Sequence, residues 1–167
     1  MKSILIAMAA VATGVFAAPA GAQAQDQANT NVNVVTLDGL ISFGQARGYT
    51  TRQAGDGSVP AVEMRTPEGL IFYAIGNACE ADTCTGLKLL GRHEPEGRVT
   101  VAQINGFNRD IPPVKVWYND NVMAMERYLI LNGGVSRANL AYEVDTFITI
   151  MSVLVERANE AARANAQ

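Results

Sequence analysis

The only two cysteines in the chain, Cys79 and Cys84, are separated by Glu80-Ala81-Asp82-Thr83. Such a pair can bond to itself, shuttle electrons or hold a metal. A redox pair is usually C-x-x-C at a helix N-terminus, and here the spacer is longer and sits in turn chemistry. A zinc site needs about four ligands, and no second cysteine pair exists. In an oxidising compartment the expected product is a structural disulfide at a hairpin end. Its ring is small, so loop entropy contributes only about 2 kcal/mol.

The remaining candidates are weaker. His93, the single histidine, stands between Arg92 and Glu94 with Pro95 following. It could act as a general base, but no Ser or Cys lies in a recognisable nucleophile setting, so a surface position is expected. Gly133-Gly134 lacks the frame of a phosphate loop and reads as the turn before a helix capped by Ser136. Acidic residues are scattered, with no pair suited to glycoside chemistry. Trp117 and Tyr118 could line a groove, although strand aromatics more often pack a sheet. Asn105 and Asn108 lie one helical turn apart, on one side of a short helix. Asparagine is a poor mid-helix residue. The pair is expected to bond neighbouring backbone and tie this helix to the next strand, with ligand contact as the alternative. No catalytic residues, metal or cofactor are expected, so the chain reads as a noncatalytic module. The competing reading is a small hydrolase or lyase, which would require polar residues converging in a deep pocket.

These residues must be held by one domain. Lys2 precedes an apolar run from Ile4 to Phe16, followed by two overlapping A-x-A sequences at Ala20–Ala24. That pattern predicts a secretory signal peptide over residues 1–22 and a mature start near Gln23 or Gln25, hence a periplasmic or secreted protein. Residues 23–34 read as a flexible leader, 35–158 as the domain and 159–167 as a frayed tail. Net charge is −3, without a basic run, which argues against nucleic acid. No second apolar run reads as long enough to span a bilayer, so no membrane contact is expected after cleavage.

Thr36 can cap a helix reaching Arg47, with Leu37, Leu40, Ile41 and Gly44 on one face. Short strands are expected around Tyr49–Gln53 and Ala61–Arg65, then a buried strand from Leu70 to Ile75 and another through Leu87, Leu89 and Gly91. Thr100 and Gln103 form a capping box for the middle helix, which Pro112-Pro113 stops. Val114–Tyr118 and Val122–Leu131 are strands around a tight turn at Asn119-Asp120-Asn121. The overall order is helix, three strands, helix, two strands, helix. Hairpin connections dominate, so the class is α+β, with helices on a largely antiparallel sheet of about five strands.

Leu140, Val144, Phe147, Ile148, Met151 and Val155 form one stripe of the last helix. Ile150, Val153 and Leu154 lie off it. A helix apolar nearly all round must be covered twice. Either it is sunk between sheet and loops, or the second strip seats a homodimer or another protein partner. Both readings stand at this level.

The pieces together resemble the YbjN domain family of bacterial sensory transduction regulators, in its small secreted form. The resemblance runs from about Val35 to about Arg157. It is carried by Ala46-Arg47-Gly48-Tyr49, by Cys79 with Cys84 and Leu87, by Ile104-Asn105-Gly106-Phe107-Asn108, and by Leu131 through Asn139 with its Gly-Gly-Val-Ser core. The hairpin at Asn119-Asp120-Asn121 lacks an expected glycine, and Pro112-Pro113 is unusual. The resemblance implies a fold similar to type III secretion chaperones and a noncatalytic regulatory role. It supplies no catalytic residues.

Overall fold

The structure, a computed structural model, describes residues 30–167. The expected signal peptide and most of the leader lie outside the described residues. In chain order the elements are β1 (Asn31–Val32), α1 (Leu37–Ala46), β2 (Thr50–Gln53), β3 (Ala61–Arg65), β4 (Ile71–Glu80) and β5 (Thr83–His93). They continue with α2 (Val101–Asp110), β6 (Lys115–Asn119), β7 (Val122–Ile130), β8 (Val135–Ser136) and α3 (Arg137–Asn165).

The class is α+β. Six antiparallel strands form one sheet in the order β2-β3-β4-β5-β7-β6, and β1 pairs with β8 separately. The main sheet has one strand more than the expected count of about five: the four strands read separately between Tyr49 and Gly91 all form, so four of its strands, not three, lie between α1 and α2. The β6–β7 turn holds Asp120 and Asn121 at φ 48° and 63°. Asn and Asp tolerate that left-handed region, so a glycine is not required there.

All three helices begin where side chains supply an acceptor for orphan backbone N–H groups. Thr36 Oγ1 accepts from Gly39 N at 3.1 Å, and Ser136 Oγ accepts from Asn139 N at 3.1 Å. Thr100 and Gln103 complete the capping box. The helices share one side of the sheet: α1 lies against β2 and β3, α3 against β5, and α2 against β6. That side presents Val62, Met64, Phe72, Ala74, Leu89, Met123 and Met125, all buried. Phe72 meets Tyr49 and Phe147 edge-on, with ring centroids 6.0 and 6.1 Å away.

Two segment boundaries differ from the sequence reading. The end of the leader is not free chain: Val32 pairs with Val135, Arg137 N donates to Thr30 O, and Val35 bridges to Cys84. The tail from Asn159 onward does not fray but continues α3 to Asn165. Ala158 and Ala162 are buried against the segment before α2, and their small size allows the close approach. Polar residues beside and beyond them bond that segment and the end of β5. Asn159 Oδ1 lies 2.9 Å from His93 Nε2, Arg163 pairs with Glu96 at 2.9 Å, and Asn165 Nδ2 donates to Arg98 O at 2.8 Å.

Candidate functional site

The side chains singled out from sequence fall into separate places. Cys79 and Cys84 are bonded to each other, as register partners on β4 and β5. Ala78, at φ 51°, turns the end of this hairpin out of regular alternation. Cys84 is consequently buried, and its backbone carries both hydrogen bonds to Val35. The disulfide thus lies in the wall against which the N-terminal strap is fastened. His93 is half-buried and engaged with Asn159, so it is not the free surface residue expected.

The two asparagines divide. Asn108 does what was expected of both. Its Oδ1 accepts from Val116 N at 2.7 Å, and its Nδ2 donates to Val116 O at 2.8 Å and to Ile104 O at 3.2 Å. The amide thereby stands in for a peptide unit and binds α2 to β6. Asn105 is exposed and makes no side-chain hydrogen bond among the described residues. A spacing of three gives an angular separation of about 60°, wide enough for one residue to reach β6 and the other to miss it.

Gly133 and Gly134 adopt φ 90° and 91°, a region closed to most side chains. A Cβ at Gly134 would sit 2.9 Å from Asn33 Oδ1, so glycine also admits the strap beside the start of α3. Ser136 caps that helix and is paired with Asn31 through the backbone. The proposed second strip of α3 does not form one surface. Leu154 is fully buried, Ile150 is half-buried against the core, and only Val153 is exposed, at 39 %. Leu154 has no exposed surface and Ile150 packs against the core, so this part of the helix is sunk within the subunit. By length and composition alone α3 could cross a bilayer, contrary to the sequence reading, but its main stripe is spent on the sheet.

The side of the sheet turned away from the helices was not anticipated. Alternation and register place Ile71, Tyr73, Ile75, Leu90, Trp117, Tyr128 and Ile130 there. No helix among the described residues covers it. Trp117 is 38 % exposed, Tyr128 47 % and Ile130 69 %. Tyr128 lies across Gly86, where any Cβ would meet its ring at 2.8 Å. Arg52, Arg65, Lys88, Arg92 and Lys115 share this side and outnumber Glu63 and Glu126. The face is cationic in a protein of net negative charge.

A family model for YbjN, described as "Putative bacterial sensory transduction regulator", matches residues 36–160. The chain belongs to the YbjN family. No curated protein and no solved structure matches it.

In this YbjN domain the matched stretch includes the Asn108 brace, the Gly-Gly turn and the Ser136 cap, all of which serve the scaffold. On the open face Arg52, Glu63 and Tyr73 are likewise arranged for structure. Arg52 donates to Glu63 at 2.7 Å and Tyr73 donates to the same carboxylate at 3.2 Å. The Arg52 guanidinium holds the Glu63 carboxyl below the usual carboxylate range. Burial, then the Glu63 charge, pushes the Tyr73 hydroxyl upward. No group of three or more metal-ligating side chains occurs among the described residues. The YbjN model describes a regulator, not an enzyme family. One signal for the open face was present in the sequence. In β7, apolar residues occupy both alternating sets: Met123, Met125 and Leu129 on one side, and Tyr128 and Ile130 on the other. A strand apolar on both sides calls for two covers, and only one is built among the described residues.

Proposed function

We propose that this YbjN protein is exported to the periplasm or medium and works there as a noncatalytic regulatory module that docks a protein partner on the helix-free face of its sheet. The observation that carries this reading is the exposed group of Trp117, Tyr128 and Ile130 within a cationic surround. Aromatic and arginine side chains are the usual anchors of protein interfaces. The charge selects the occupant. Two copies meeting face to face would oppose like charges, whereas a partner with an acidic surface would be steered to the face and held. This choice moves the contact away from the second strip of α3, where a homodimer or another protein partner was one of two readings.

The test is photocrosslinking in the producing cell, with a photoreactive residue at Trp117 or Tyr128 and, as control, at exposed Val101 on α2. The expected result is an adduct to an acidic protein from the sheet positions alone, in the periplasmic fraction. Adducts only from Val101, adducts only between copies, or none would overturn the reading. Intact mass of the recovered protein, beginning near Gln23 or Gln25, checks export.

A further inference from the structure

The cations of the open face are not equivalent. Arg52 stands opposite Glu63, and Lys115 opposite Glu126. The others have only uncharged partners across the ladder. Lys88 stands between Ile75 and Tyr128, Arg92 beside Ala124, and Arg65 between Thr50 and Ile71. Glu126 is diagonal to both Lys88 and Arg92. Yet among the described residues neither cation makes an ion pair or a side-chain hydrogen bond. Both lie on β5, and the four residues from one to the other span about 13 Å of strand. The next strand, β7, carries Ala124, Tyr128 and Ile130 on its open side, and Trp117 stands beyond Ala124 on β6. Only Glu126, facing Lys115, interrupts this apolar strip. The strip is therefore flanked along one side by two cations that have no partner of their own.

We propose that the occupant of this strip is an acidic amphipathic helix of the partner, laid along β7, with carboxylates about two turns apart on the flank that meets Lys88 and Arg92. The assignment rests on docking at the sheet face and names what docks there. Backbone satisfaction selects a helix. β5 and β7 are interior strands, paired on both sides, so the face offers an incoming chain no backbone partner. An extended segment lying flat on it would leave its own peptide groups unpaired at a desolvated contact. A helix carries its hydrogen bonds within itself and presents side chains alone. The strip sets the length. From Ala124 to Ile130 the strand runs about 20 Å, which a helix of about four turns matches. The cations set the spacing. Carboxylates seven or eight residues apart lie roughly 10–12 Å apart along a helix, and the long Lys and Arg side chains span the remainder. Such a helix would cover this side of the sheet as α1, α2 and α3 cover the other.

Photocrosslinking from Trp117 in the producing cell, followed by tandem mass spectrometry of the adduct, tests the assignment. The adduct should map to a helical segment with an apolar stripe and acids seven or eight residues apart on one flank. Lys88→Glu combined with Arg92→Glu should lower its yield about tenfold. Lys88→Gln with Arg92→Gln removes the attraction without adding repulsion, and should give about a threefold loss with an unchanged unfolding midpoint. Arg65→Glu makes the same kind of charge change on the same face, but β3 lies three strands from β7, about 14 Å away. Its yield should stay within about twofold of the unaltered chain. An adduct that maps to an extended or proline-broken segment would overturn the helix assignment and leave docking in place. So would one that survives both double variants, or one lost equally in Arg65→Glu. No adduct from the unaltered chain would overturn docking at this face, and the assignment with it.

Discussion

The two faces of the sheet are made from the same strands, yet they obey different rules. Toward the helices strands β3 to β7 contribute close-packed apolar side chains, and Phe72 sits at 0 % exposure between two aromatic rings. Away from the helices the neighbouring residue, Tyr73, is half-buried, and its hydroxyl serves an ion pair. The first face is bound to one arrangement by packing, where a lost methylene is felt. The second is built from half-exposed aromatics and charges, which tolerate change within the subunit and are available to something outside it. The contrast is between residues that hold the fold and residues that the fold holds up.

The sharpest way to break that contrast is at Phe72. Phe72→Ala should lower unfolding stability by about 3–5 kcal/mol, read as the shift in a chemical denaturation midpoint at constant slope. A shift below about 1 kcal/mol would mean the helical face is loosely packed.

At the boundary between sheet and helix, Asn108→Ala should lower stability by about 1–3 kcal/mol, because it leaves Val116 N–H and C=O without their partner. Asn105→Ala should fall within about 0.5 kcal/mol of the unaltered chain. Equal losses at both positions would show that the amide bracing is not confined to Asn108.

On the open face, Ile130→Ser and Tyr128→Ala should each change stability by no more than about 0.5 kcal/mol, while reducing any partner adduct formed from Trp117. A large loss of stability would place these residues in the core and remove the distinction between the faces.

The smallest effect concerns pH. The Glu63 carboxyl is held low by Arg52 in the folded chain. Its contribution is therefore present above the unfolded carboxylate value of about 4.3 and lost as pH falls through the lower folded value. Glu63→Gln should flatten the stability profile slightly at the acid end and leave it unchanged near neutrality. An unaltered acid limb would show that the pair contributes nothing.

Much of this was legible in the sequence where local chemistry decides the outcome. Thr36, Thr100 and Ser136 are caps because their hydroxyls reach backbone N–H groups a turn away, a relation fixed by spacing alone. The cysteine pair was legible for the same reason, as two residues brought opposite by a short turn. Long-range packing was less readable. Whether a residue of α3 faces solvent or core depends on elements far upstream, among them the segment before α2 that packs on the end of the helix. Whether Asn159 and Asn165 fray depends on the same segment, whose carbonyl and amide groups they satisfy. The open face was hidden differently. An apolar residue on a strand looks the same whether or not a helix arrives to cover it, and only the shared side of α1, α2 and α3 reveals that none does.

The Asn108 amide has one further consequence. β6 is an outermost strand, and an outermost strand offers unpaired peptide groups on which another chain can add itself and propagate. Here the outward N–H and C=O of Val116 are already spoken for by a side chain, in the geometry a new strand would use. A newcomer would have to displace α2 to begin pairing at the centre of β6. The other outermost strand, β2, is only Thr50–Gln53 and carries the Arg52 charge. The molecule can therefore expose an apolar sheet face at working concentration without its rims serving as templates for fibre growth.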